Sequence, residues 1–138
     1  MSLNQTLTPA ERAQVIALLA PLKPSFIYLF GSAARGELRA ESDVDIAFYS
    51  LESVDHLVVF KMSESLAAAL NRDVDLIDLS VSNDVIRAEV IGTGELLSAP
   101  DVQVLYERQM RWLKQYTMLN RERRPIIERI KREGKIYG

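Results

Sequence analysis

A chain of 138 residues has room for one domain built on a single sizeable core. It has no cysteine and only one histidine, His56, so disulfides and thiolate metal sites are excluded. Any metal must be held by oxygen ligands, which points to Mg²⁺, Mn²⁺ or Ca²⁺. The formal net charge of -2 conceals a polarity: residues 102–138 carry ten Lys/Arg against four Asp/Glu, and the remainder seven bases against fifteen acids. A basic tail on an acidic body contacts something acidic, folds back on that body, or is simply a solvated helix face. There is no basic and apolar leader pattern and no apolar run of membrane length, so a cytoplasmic protein without a membrane partner is expected.

The first element opens at Thr8-Pro9-Ala10-Glu11, where threonine caps, proline takes the first helical position and Glu11 completes a capping box. That helix should run to about Ala20 and stop before Pro21 and Pro24. Ser25 to Phe30 is a compact apolar run, read as a buried strand ending at Gly31-Ser32. Residues 33–42 form a turn and a polar loop, and Val44 to Tyr49 is a second strand. From Val54 to Leu70 apolar residues recur at helical spacing (Leu57, Val58, Phe60, Leu66 and Leu70), with Asn71 ending the helix. Val74 to Leu79 is a third strand. Asn83-Asp84 caps a helix to about Ile91, and Glu95–Ser98 is a short fourth strand. Asp101 caps a long helix with a stripe of Val102, Leu105, Leu113 and Tyr116, which Pro125 should break or bend before a basic segment, Ile126–Arg132. The whole reads as one mixed α/β domain, residues 1–100, with a helical arm, residues 101–138, packed on it.

The informative stretch is Gly31-Ser32-Ala33-Ala34-Arg35-Gly36 followed by Ser42-Asp43-Val44-Asp45-Ile46. Carboxylates two residues apart on a strand share one face, about 6–7 Å apart at the backbone, so their side chains can converge on one divalent ion. Without a cation, two such groups repel each other and one tends to take up a proton. Gly31, lacking Cβ, lets the backbone approach a phosphate, and the Ser32 hydroxyl and the N–H groups of the next turn can donate to its oxygens. Arg35 either contacts a triphosphate or braces the loop by pairing with an acid. A third acid comes from Asp73-Val74-Asp75-Leu76-Ile77-Asp78. Asp73 and Asp75 share a face and Asp78 lies on the other; Asp73 sits at the exposed start, which leaves Asp75 to join the metal and help deprotonate an attacking hydroxyl.

Together these residues closely resemble the signature of the DNA polymerase β-like nucleotidyltransferase superfamily. More narrowly they resemble the minimal nucleotidyltransferases, the MNT or MntA-type antitoxins of HEPN–MNT toxin–antitoxin pairs. Val74–Leu79, Val85-Ile86-Arg87-x-Glu89-Val90 and Gly94-Glu95-Leu96-Leu97 continue the match, which spans about residues 25–98. The resemblance implies an α/β (α+β) fold, a small mixed sheet flanked by helices. It implies catalytic, metal-holding carboxylates at Asp43, Asp45 and Asp75 and nucleotide contacts from Gly31, Ser32 and Arg35. ATP is then the donor, with two Mg²⁺ ions (or Mn²⁺). The partner is a HEPN ribonuclease toxin in a hetero-oligomer, silenced by AMP on a tyrosine hydroxyl, with no nucleic acid required.

Two other readings remain. The chain could neutralise its toxin by stoichiometric binding through the C-terminal arm, or modify a small molecule in the aminoglycoside manner, for which it is short. Trp112, Tyr106 and Tyr116 read as helix-packing residues rather than a base-stacking platform. Arg87 reads as a surface ion pair or a phosphate contact, Asp78 as a cap or structural pair, and His56 has no assigned role. Arg121, Arg123, Arg124, Lys131, Arg132 and Lys135 make up the basic run.

Overall fold

The computed structural model describes residues 6–133, with side chains described as far as Asn120. The first helix, α1, spans Pro9–Leu19 and starts with the expected capping box: the Glu11 amide donates to Thr8 Oγ1 at 3.1 Å, and the Thr8 amide donates to Glu11 Oε1 at 2.9 Å. Pro21 does not simply end the chain's helical path; Ala20–Leu22 form one 3₁₀ turn before Lys23 takes a left-handed conformation.

Strands β1 (Phe26–Phe30) and β2 (Val44–Tyr49) pair antiparallel. Helix α2 (His56–Leu70) then carries the chain to β3 (Val74–Asp78), which pairs parallel to β2. Parallel neighbours need such a crossover, because a tight turn cannot return a strand in the same direction. Helix α3 (Asp84–Thr93) leads to β4 (Glu95–Ser98), antiparallel to β1, so the mixed sheet runs β3-β2-β1-β4. Helix α4 (Val102–Glu133) closes the described chain.

Period-two alternation divides the sheet's side chains between two cores. Ile27, Leu29, Val44, Ile46, Phe48 and Leu76 pack with Val15 and Leu19 of α1 and Leu66 and Leu70 of α2. Phe26, Tyr28, Ala47 and Tyr49 pack on the other face with Val90 of α3 and Leu105 and Trp112 of α4. The result is a helix–sheet–helix sandwich, the α/β architecture anticipated from the pattern of elements.

Several local expectations change. Helix α2 starts at His56 behind the Asp55 cap rather than at Val54, and Leu57, Val58 and Phe60 face outward. Its inward stripe is Val59, Met62, Leu66 and Leu70. The N-terminal half of this helix is apolar all round, so periodicity alone could not choose the buried side. Helix α3 runs two residues past Ile91. In α4 the buried positions are Leu105 and Trp112, whereas Val102 and Leu113 are exposed. The helix also runs through Pro125 without a break. The basic residues from Arg121 onward lie outside the described side chains, and Lys135 lies outside the described residues.

Candidate active site

Gly31 follows the last residue of β1 with φ +68°, a left-handed conformation that glycine adopts without steric penalty. The next residues make a single helical turn: the Arg35 amide donates to the Gly31 carbonyl and the Glu37 amide to the Ser32 carbonyl. Ala33 and Leu38, both buried in the α1/α2 core, pin this turn from below. The amides of Ser32, Ala33 and Ala34 have no acceptor among the described residues, which leaves three N–H groups at the start of a turn.

Asp45 lies directly across from Phe30 on one side and Asp75 on the other. Asp43 stands two residues earlier, just before β2, so its side chain shares the Asp45 face. That face is the α3/α4 side of the sheet, since Ala47 and Tyr49 continue the same alternation. Asp43 and Asp75 are exposed and Asp45 is half-buried. A β-carbon on Gly31 would overlap the Asp45 carboxylate. The missing side chain therefore admits the carboxylate as well as opening the turn.

The electrostatics agree with this crowding. Burial, then the negative charges of Asp75 and Asp43, push the Asp45 carboxyl up from 3.8 to about 6, against a smaller opposing pull from Arg35. Among the described residues no three acidic or imidazole side chains are drawn to the spacing of one ion's ligands. Mg²⁺, however, takes one or two carboxylates and fills its other positions with water and phosphate. An all-oxygen pair centred on Asp45, destabilised by its own like charges, fits a hard divalent cation.

Arg35 Nε donates to Glu37 Oε1 at 2.7 Å, an exposed ion pair, so of its two expected behaviours the bracing one is present. Glu37 escaped the sequence reading, as did Arg72, whose guanidinium donates to the Arg39 carbonyl and fastens the loop leading to Asp43. A contact across 33 residues leaves no local signal. Nor did the sequence indicate that Arg12 and Glu95, joined by two hydrogen bonds of 2.8 and 3.1 Å, border a cavity of about 300 Å³ beside Arg35. Asp78 is a cap, as anticipated: its Oδ1 accepts from the Ser80 amide at 2.9 Å and hydroxyl at 2.7 Å. Arg87 is more than the surface pair the sequence suggested. It donates to the Leu79 and Ser80 carbonyls and lies over the Trp112 ring, with Asp84 3.9 Å away.

A glycine turn thus faces carboxylates on adjacent strands. The family described as polymerase beta, nucleotidyltransferase matches residues 13–103, and the chain belongs to that family. Its members use a nucleoside triphosphate with a divalent cation. Among its relatives is the protein adenylyltransferase MntA of Shewanella oneidensis, 32% identical over 77% of this chain and 76% of that one. A putative protein adenylyltransferase of Methanocaldococcus jannaschii is 44% identical over 40% of this chain and 64% of its own.

Solved structures give the same picture. A chain from a toxin–antitoxin crystal structure with AMP-PNP superposes with a TM-score of 0.79 at 31% identity, covering 87% of this chain and 98% of that one. A second comes from a tri-AMPylated Shewanella oneidensis HEPN toxin in complex with its MNT antitoxin. It has a TM-score of 0.74 at 29% identity, covering 88% and 97%. Among the described residues no helix is long and apolar enough to cross a membrane.

Proposed function

We propose that this protein is an adenylyltransferase antitoxin, transferring AMP from ATP to a tyrosine hydroxyl of a cognate HEPN toxin in the cytoplasm. The observation that carries the reading is the register of Asp45 with Asp75, beside Asp43 and the Gly31 turn. Relatives described as a protein adenylyltransferase and as a complex with an AMPylated toxin support the acceptor and the base.

The free amides of Ser32, Ala33 and Ala34, with the Ser32 hydroxyl, hold the triphosphate oxygens. Arg35 adds positive charge at the same edge. Asp43, Asp45 and Asp75 would hold Mg²⁺, in one or two ions, with Mn²⁺ as a substitute. When bound, such ions supply charge neutralisation and Lewis acidity at the phosphates. Asp75, which is exposed, helps take the proton from the acceptor hydroxyl. The acceptor oxygen bonds to the α-phosphorus as the bond to the pyrophosphate oxygen breaks, and pyrophosphate leaves.

Incubation with labelled ATP, Mg²⁺ and a cognate HEPN protein should label that protein. Absence of transfer, or equal transfer by an Asp43→Ala/Asp45→Ala variant, would sink the reading.

One observation favours a contribution from binding alone. Val102, Tyr106, Met110 and Leu113 are exposed at helical spacing on α4, an apolar stripe facing away from the core. If binding is enough to neutralise the toxin, the double alanine variant still protects cells from it.

A further inference from the structure

On the α3/α4 face, at the end of β2 remote from the carboxylates, a cavity of about 170 Å³ is lined by arginines 87, 108 and 111 together with Ser80 and Gln115. Tyr49 and Trp112 supply its aromatic walls. Tyr49 lies four residue steps along the strand from Asp45, roughly 13 Å, so this cavity is distinct from the transfer centre.

The three guanidinium groups are not equivalent. Arg87 spends its donors on the Leu79 and Ser80 carbonyls, at 2.8 and 2.9 Å, and its plane lies 5.0 Å from the centre of the Trp112 ring. Arg108 lies 5.2 Å from the centre of the Tyr49 ring, and its nearest acid is its own neighbour, Glu107, at 3.8 Å. Its Nε is shielded from solvent and has no acceptor in the described structure. Arg111 has no acidic partner among the described residues. The hydroxyl of Ser80 already donates to Asp78.

A shielded guanidinium nitrogen without an acceptor is costly, and an oxyanion is the ligand that removes the cost. Paired arginines suit phosphate in particular, because their planar forks give charge-assisted, directional bonds. The volume falls below the 300 Å³ or more typical of pockets for whole drug-sized ligands. It therefore encloses one phosphate group, and the remainder of a bound ester lies outside it.

We propose that Arg108 and Arg111, held in place by the Arg87–Trp112 stack, form a second oxyanion site that takes a single phosphate group. Gln115 supplies a further neutral donor at its edge. The group is either free inorganic phosphate or the phosphate of a small phosphomonoester.

Trp112 is the only tryptophan in the chain and lines the cavity, so its emission reports occupancy. The full-length protein is titrated with inorganic phosphate and, separately, with AMP, in EDTA to keep divalent ions from the carboxylates. The Arg108 Nε–H resonance is followed in parallel. A saturable change is expected in both signals. Its midpoint should rise about ten-fold or more in Arg108→Gln/Arg111→Gln, and measurably in Arg111→Gln, whose exposed side chain is not needed for folding. Saturation by AMP at lower concentration than phosphate identifies a phosphomonoester; the reverse order identifies free phosphate. The proposal is overturned if neither signal saturates, if chloride at matched ionic strength gives the same change, or if folded variants bind as the parent does.

Discussion

At Gly31 a hydrogen atom occupies the space where any other residue would place a carbon against the Asp45 carboxylate. Gly31→Ala combines that overlap with a left-handed φ, which costs an L-residue about 1–2 kcal/mol. Displacing a reacting group by about 1 Å can cost 10²-fold in rate. The variant should therefore lose about 10²-fold in AMP transfer while its urea midpoint shows only that modest destabilisation. Asp45 itself makes a pH prediction. Its folded carboxyl titrates at about 6 rather than 3.8, because burial and then Asp75 and Asp43 disfavour the charge. A raised acid binds its proton more tightly in the folded state. The associated stability is fully present below 3.8 and is lost as pH rises through about 6. Urea unfolding in EDTA should show the midpoint falling across that window, and Asp45→Asn should flatten the fall. A midpoint that rises across the window would contradict the crowding of these carboxylates.

Helix α4 depends on one residue more than on its length. Trp112 is 2% exposed and meets Phe26 and Tyr49 edge-on, with ring centres 6.1 and 5.5 Å apart. Arg87 covers its face and so links α3 to α4 through the same ring. Trp112→Ala removes the centre of this cluster and should lower stability by about 3–5 kcal/mol, read as a shift in the urea midpoint at unchanged slope. A loss below about 1 kcal/mol, within the range of ordinary surface substitutions, would show that the helix is held elsewhere.

Across the whole molecule, the sheet has two apolar faces and needs helices on both. Deleting residues 102–138 would uncover Phe26, Tyr28 and Tyr49 together, a patch that a soluble domain does not normally expose. Such a chain should lose cooperative unfolding and bind a hydrophobic dye; a sharp thermal transition in residues 1–101 would disprove this. The same deletion therefore says little about partner binding, because it removes part of the core along with the outward stripe. Single changes at Met110 or Tyr106, which are exposed, separate the two. Met110→Asp should weaken toxin binding while leaving the melting transition in place.

The carboxylate pair, the glycine turn, the caps at Thr8, Asn83 and Asp101 and the alternation of the strands were all legible in the residues themselves. Each rests on interactions spanning five residues or fewer, so sequence order is enough to specify them. That Asp75 and Asp78 lie on opposite faces of their strand was legible too, from period two. What the sequence could not supply was the register that sets Asp75 beside Asp45, since that depends on how α2 packs as it carries the chain between parallel strands. For the same reason it did not identify the buried side of α2, the bond from Arg72 to the loop before Asp43, or the contact of Arg87 with the Trp112 ring. Those contacts join segments far apart in the chain, and only packing against a common sheet decides which of them touch.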